Sequence, residues 1–154
     1  MGEPVFHVTL LHPEIGPNAG NAGRLCLGIG ARLHLVHPLG FHTDDKSVRR
    51  AGLDYWKHVD VVEHPSAEAF WAWAGERPVH LFSAQGDQAH TRCPVSRGDV
   101  LLFGCESVGL PRPLVDERGA WRIPMTGSVR SLNLSNAIAV VAYAALQRVQ
   151  PDLF

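Results

Sequence analysis

A glycine-rich segment near the amino terminus combines two asparagines with an arginine. Residues 18–24 read NAGNAGR and lie between a predicted strand and the first predicted helix. If that helix begins near Asn18, its core face leaves Asn21 and Arg24 on the opposite side. An arginine held there can bind an anion that approaches over the glycines. The alternative is a glycine-rich turn with a solvent-exposed arginine. The predicted core face consists of Ala22, Leu25, Cys26 and Ile29.

A second segment places one carboxylate in a loop between glycines. Residues 101–111 read LLFGCESVGLP, so a buried strand runs into Gly104, and Glu106 precedes Gly109. Glycines at the carboxyl end of a strand let a ligand lie against bare backbone. Neither a phosphate-binding P-loop nor a GxGxxG motif is present. The alternative is an ordinary turn with a surface glutamate before a short helix.

The third segment, residues 123–136, leads into a long apolar helix. Four short polar side chains lie where the first amides of that helix need hydrogen-bond acceptors. Helix capping explains one or two of them and leaves the others for binding. These four residues are Ser131, Asn133, Ser135 and Asn136.

Alternating strands and helices hold the three segments in place. The pattern predicts an α/β fold, a mainly parallel sheet flanked by helices, in a single domain over residues 1–154. Each polar segment then follows a strand, where open parallel sheets bind ligands. The expected strands are 5–11, 33–36, 59–63, 79–83, 100–103 and 122–123, and the expected helices are 22–29, 44–51, 67–73 with Ser66 as N-cap, and 134–149.

The composition excludes several classes of protein. The chain has 154 residues, 45% of them apolar, and a formal net charge of −1, so a core forms without disulfides and a polyanion would need a local basic patch. Three cysteines without a CxxC pair indicate reduced thiols and a cytoplasmic protein. No signal peptide or membrane span is expected. Nine scattered histidines without ligand spacing predict no metal site.

The last predicted helix is apolar on all sides over residues 137–146. Such a helix must be covered all round, and at the end of a short chain a second subunit covers it most simply, which predicts a homodimer. The alternative is a central helix of a monomer.

Taken together, the three segments resemble motifs 1, 2 and 3 of the SPOUT class of RNA methyltransferases. They are most similar to the small tRNA (cytidine/uridine-34-2′-O)-methyltransferase subfamily, often called TrmL. The matching residues occur in the same order along nearly the whole chain. They are 17–21 with 24–26, then 103–104 with Glu106 and 109–111, then 123–125 with 130–137, and between them 44–46 and 49–55.

The resemblance implies a carboxyl-terminal trefoil knot that binds S-adenosylmethionine at a dimer interface. The cofactor is expected against Ala84, Gly104, Ile123 and Ser131. The substrate implied is the ribose 2′-OH of wobble nucleotide 34, a cytidine or a uridine such as cmnm5-uridine, in the anticodon stem-loop of tRNA. Two alternatives are 2′-O-methylation at another tRNA or rRNA position and a non-catalytic RNA-binding module of the same fold.

The same resemblance assigns roles to the polar residues. Arg24 is expected to bind a phosphate and align the hydroxyl, because a guanidinium is a poor base. Asn18 and Asn133 would hold Arg24 and the loops, and Glu106 would accept hydrogen bonds from them or from backbone amides.

RNA contacts are expected at two places in the chain. Lys46, Arg49 and Arg50 are expected on a polar helix that contacts RNA, although the same charges also suit a solvated helix face. Tyr143 would stack on a base, or else belong to the core.

Overall fold

The computed structural model describes residues 2–44 and 53–154. Within them, seven strands form one sheet in the order β3-β2-β1-β6-β4-β7-β5. All paired strands run parallel, which confirms the predicted sheet. The strands are β1 His7–Leu11, β2 Arg32–Val36, β3 Val61–His64, β4 Val79–Phe82, β5 Gln88–Ala89, β6 Val100–Phe103 and β7 Trp121–Arg122.

The chain adds strands on one side of β1 first and then on the other, so a topological switch point lies between β1 and β6. From β1 the chain proceeds outward to β2 and β3, whereas β6 and β4 lie on the other side of β1. Leu10 pairs with Phe103, and Phe103 pairs with Phe82, so the carboxyl ends of these three strands meet at one edge of the sheet. Such a switch point opens a crevice in which α/β proteins bind ligands.

Helices cover both faces of the sheet. One face packs against α1 (Gly16–Ile29) and α4 (Leu134–Val149) around Phe6, Leu10 and Ile138, and the other packs against α2 (Ala67–Ala74) around Phe70. The sheet is therefore buried between two helical layers, as the apolar strands require. The helices are α1 Gly16–Ile29, α2 Ala67–Ala74, α3 Arg112–Arg118 and α4 Leu134–Val149, with 3-10 turns at Leu53–His58, His90–Arg92 and Pro151–Leu153.

The predicted elements match these bounds closely. β6 and α4 have the predicted ends, and Ser66 caps α2 by accepting a hydrogen bond from the Ala69 amide. α1 begins at Gly16, earlier than expected, because Pro17 is tolerated in a first helical turn. The two-residue β5 carries no periodic signal and was not predicted. Most of the predicted helix 44–51 lies outside the described residues.

The core face of α1 contains smaller residues than predicted. Ala22 and Cys26 are buried, whereas Leu25 and Ile29 are half-buried at the edge of the core. Glycines complete the buried face, and a Cβ on Gly23 would approach the Trp56 ring to 2.7 Å. Asn21 and Arg24 are exposed on the opposite face, as the spacing predicted.

The last helix, α4, is covered on one side and open on the other. Ile138, Val141 and Ala142 are buried against the sheet. Val140 and Tyr143 remain 39% and 48% exposed in the single chain. In the single chain, α4 is therefore not a central helix covered on all sides. Among the described helices, none is long and apolar enough to cross a membrane. The trefoil knot stays a prediction.

Candidate active site

A cavity of about 840 Å³ lies at the carboxyl ends of β4 and β6. Its walls come from the loop after β6, the loop after β4 and the stretch between β7 and α4. Phe82 and Phe103 stack in its lining with ring centroids 5.2 Å apart. This volume lies within the range of small-molecule sites, and the position is the expected one for a parallel sheet.

The four residues predicted to hold the cofactor all line this cavity. They come from three separate stretches of chain: Ala84 follows β4, Gly104 follows β6, and Ile123 and Ser131 follow β7. A Cβ at Gly104 would stand 2.1 Å from the carbonyl carbon of Gly109, so only glycine allows the turn after β6 to close. The fold therefore brings these four residues to one site.

Glu106 ties the loop after β6 to the loop after β1. Its carboxylate accepts hydrogen bonds from the backbone amides of Glu14 and Ile15 at 2.8 and 2.9 Å. It also accepts one from Nδ2 of Asn18 at 3.1 Å. The expected hydrogen bonds to Glu106 are thus present. They occupy both carboxylate oxygens, which makes Glu106 an organiser of the loops rather than a free base.

Asn133 is the N-cap of α4. Its Oδ1 accepts hydrogen bonds from the Ser135 amide at 2.9 Å and the Ser135 hydroxyl at 2.7 Å. Ser131 takes no part in this cap and lines the cavity. Capping thus accounts for part of the polar cluster, as expected. Within the described residues no hydrogen bond joins Asn133 to Arg24, and that role stays a prediction.

Arg24 lies outside the cavity lining, on the exposed face of α1. Its guanidinium carbon is 5.0 Å from the centre of the Tyr55 ring, a cation–π distance. Tyr143 also lies outside the lining and is exposed. Lys46, Arg49 and Arg50 fall outside the described residues.

Glu14 and Ser107, which the sequence did not indicate as site residues, also connect the loop after β1 to the loop after β6. Glu14 accepts hydrogen bonds from the Ser107 amide at 2.7 Å and the Ser107 hydroxyl at 3.0 Å. These bonds hold the pKa of the Glu14 carboxyl below its usual value, with the backbone amide as the larger cause. Since the partners are 93 positions apart, no local pattern could have revealed the pair.

A row of three histidines crosses the sheet away from the cavity. Nδ1 of His7 is 2.8 Å from Nε2 of His34, and Nδ1 of His34 is 2.9 Å from Nε2 of His64. All three are buried, and Trp73 packs against each ring. Burial lowers the pKa of His7 to about 4 and that of His34 to about 2.

The three histidines of the row are not arranged as metal ligands. Across residues 2–44 and 53–154, no three or more His, Cys, Asp or Glu side chains are grouped to hold a metal ion. Both nitrogens of His34 are already used by the neighbouring rings. The row is therefore a neutral hydrogen-bonded part of the fold.

Comparison with known proteins places the chain in a family. Residues 5–143 match the SpoU rRNA methylase family. The chain belongs to the SpoU rRNA methylase family. This match confirms the resemblance that the three motifs indicated.

Individual members of the SpoU family share both sequence and fold with this chain. A tRNA (cytidine(34)-2′-O)-methyltransferase of Escherichia coli strain K12 is 43% identical over 150 residues, which cover 94% of each chain. A solved structure described as giving insights into the 2-OH methylation of C/U34 on tRNA is 43% identical, with a TM-score of 0.91 over 96% of this chain and 97% of that one. An AdoMet-bound rRNA methyltransferase of Sinorhizobium meliloti is 26% identical, with a TM-score of 0.84 over 95% of this chain and 57% of that one.

Proposed function

We propose that this chain transfers a methyl group from S-adenosylmethionine to the ribose 2′-OH of nucleotide 34 of tRNA. The observation that carries the proposal is the cavity at the ends of β4 and β6, whose lining includes the second and third motif segments and Asn18 of the first. The names of the full-length relatives support the substrate, and the AdoMet-bound relative supports the cofactor.

The cavity residues fit S-adenosylmethionine. Apolar side chains such as Phe82 and Leu134 suit a flat base, and Ser83 and Ser131 supply hydroxyl groups for its polar parts. Bare backbone at Gly104 allows close approach. Ala84, Gly104, Ile123 and Ser131 are the residues that we assign to cofactor binding. When bound, the cofactor supplies an electrophilic methyl group on a sulfonium ion.

The protein's own part in the reaction is to position the hydroxyl and stabilise charge. We assign Arg24 to a phosphate next to the target ribose, because its guanidinium is exposed and a planar fork suits two phosphate oxygens. Asn18 and Glu106 hold the start of α1 against the cavity loop. Proton loss goes to the phosphate or to water, since a guanidinium is a poor base.

The proposal extends to the assembly and the RNA surface. The exposed Val140 and Tyr143 side of α4 supports a homodimer, because an apolar face of a helix needs a partner. The anticodon stem-loop would contact Lys46, Arg49 and Arg50, and Tyr143 where it stands near the dimer seam; these four stay predicted RNA contacts. Four further features stay predictions: the role of Asn133 in holding the loops, the trefoil knot, the single domain over residues 1–154 and the cytoplasmic location.

The test is methylation of tRNA by the purified protein with Arg24 variants. Wild type should place a 2′-O-methyl group at nucleotide 34, mapped by mass spectrometry. Arg24→Ala should lower the single-turnover rate by at least about a hundredfold, the scale for losing one key electrostatic contact. Arg24→Lys should recover little of that rate, because an ammonium cannot make a two-pronged contact. Both variants should bind S-adenosylmethionine as wild type does in calorimetry.

Arg97→Ala is the matched control, because Arg97 is an exposed arginine that precedes β6 and so lies toward the opposite edge of the sheet from the cavity. It should methylate at the wild-type rate. Methylation at another tRNA position or in rRNA would replace the proposed target. Cofactor binding without methylation of any RNA would favour the non-catalytic RNA-binding module. Full activity of Arg24→Ala would contradict the role assigned to Arg24.

A further inference from the structure

Two glutamates connect the loops after β1 and β6 in opposite directions. Glu106 reaches from the second loop to amides of the first, and Glu14 reaches from the first loop to Ser107 of the second. Asn18 adds a side-chain hydrogen bond to Glu106. Because carboxylates accept these bonds, each is stronger than a neutral hydrogen bond.

The backbone of Glu14 is itself held in place. Its amide donates to Glu106, and its carbonyl oxygen would be 2.5 Å from a Cβ added to Gly40, so the neighbouring loop packs directly on it. The Gly40 amide also donates to the carbonyl of Pro13 at 2.9 Å. His12, with φ of 57°, turns the chain sharply out of β1 just before this point. The backbone from which the Glu14 side chain extends is therefore held in place.

Ser107 belongs to the part of the structure that Glu14 restrains. It lines the cavity together with Glu106, in a turn that closes through a hydrogen bond from the Gly109 amide to the Cys105 carbonyl. Without Glu14, the hydrogen bonds of Glu106 are the ones that still join this turn to the first loop among the residues that the structure describes. The tip is exposed, so its position depends on such contacts rather than on burial.

We propose that Glu14 is a positioning residue for cofactor binding, which fixes the cavity wall by holding the amide and hydroxyl of Ser107. The proposal rests on the proposed methyl-transfer function and deepens it. Glu14 does not line the cavity, and it acts through Ser107. Its loss should therefore weaken cofactor binding. The chemical step should change little, because Glu106 still holds Asn18 and the start of α1.

The experiment measures the affinity for S-adenosylmethionine by calorimetry, together with KM for the cofactor and kcat with tRNA. Glu14→Ala should raise the dissociation constant and KM about five- to tenfold, the effect expected for losing one or two exposed hydrogen bonds, with kcat within about twofold of wild type. Glu14→Asp keeps the charge and loses the reach, so it should behave like Glu14→Ala. Glu14→Gln should keep most of the wild-type affinity, since its amide group can accept from the Ser107 amide and donate to the Ser107 hydroxyl oxygen, although these neutral bonds are weaker than those of a carboxylate.

Two controls separate positioning from other effects. Glu117→Gln, at an exposed carboxylate on α3, should leave both constants unchanged. Ser107→Ala should cost less cofactor affinity in the Glu14→Ala background than in wild type, because the hydroxyl contact with Glu14 is already absent there.

The result that overturns the proposal is distinct from failure of the proposed function. If wild type binds S-adenosylmethionine and methylates tRNA but Glu14→Asp binds it equally well, Glu14 does not position the wall. If Glu14→Gln binds as weakly as Glu14→Ala, the effect comes from charge and the proposal is also overturned. Absence of cofactor binding by wild type would instead contradict the proposed function.

Discussion

Acid should destabilise this protein through the buried row of His7, His34 and His64. In the folded chain these rings are neutral, because burial lowers the pKa of each below the ordinary value of 6.5. In the unfolded chain they titrate near that ordinary value. The stability that the row contributes is therefore fully present above about pH 6.5 and is lost as the pH falls toward the folded-state pKa values.

The magnitude follows from proton binding to the unfolded chain. At about pH 5, His7 and His34 remain mostly neutral in the folded state, since their pKa values are about 4 and about 2. At that pH, protonation stabilises the unfolded chain by about 2 kcal/mol for each histidine that is neutral in the folded state. His7 and His34 together therefore lower the unfolding free energy by about 4 kcal/mol relative to about pH 7.5. That is a large part of the stability of an ordinary domain.

Urea denaturation at about pH 7.5 and about pH 5 measures this loss directly. His34→Gln removes one titrating ring, and its amide can donate to one neighbour and accept from the other. The loss between the two pH values should shrink by about 2 kcal/mol in this variant. His58→Gln, at an exposed histidine, should show the wild-type loss. Equal losses in wild type and His34→Gln would refute the reasoning, because the row would then be protonated or hydrated in the folded protein.

Two further predictions concern the cavity and the assembly. Gly104→Ala should weaken S-adenosylmethionine binding by at least about tenfold in calorimetry, because the added Cβ would lie 2.1 Å from the backbone of Gly109 and the turn must shift. Gly28→Ala is the control and should bind the cofactor as wild type does, because nothing lies within 4 Å of its added Cβ. Light scattering should give the mass of two chains, and Val140→Glu should lower it, because Val140 lies on the open apolar side of α4. A wild-type mass of one chain in dilute native buffer contradicts the homodimer.

Several elements and their ends follow from local sequence. β6 is a short apolar run closed by Gly104, and α4 follows Asn133, whose side chain caps it, so both have the predicted bounds. Ser66 is the N-cap of α2 and Gly75 is its C-cap, so the ends of α2 also follow from local sequence. Each of the three polar segments was also expected after a strand, where open parallel sheets bind ligands. The cavity residues Ala84, Gly104, Ile123 and Ser131 followed from the family resemblance.

Contacts between distant parts of the chain could not be predicted from local sequence. The pairing of Glu14 with Ser107 depends on β1 lying beside β6, which no local pattern specifies. The histidine row likewise needs β1, β2 and β3 to be neighbours with one register, so that three isolated histidines meet on one face. Periodicity and capping act over a few residues, and they determined the elements and the polar segments. Only the packing of the sheet decided that Glu14 holds the loops together with Glu106, which histidines stay neutral, and that Arg24 stands outside the cavity.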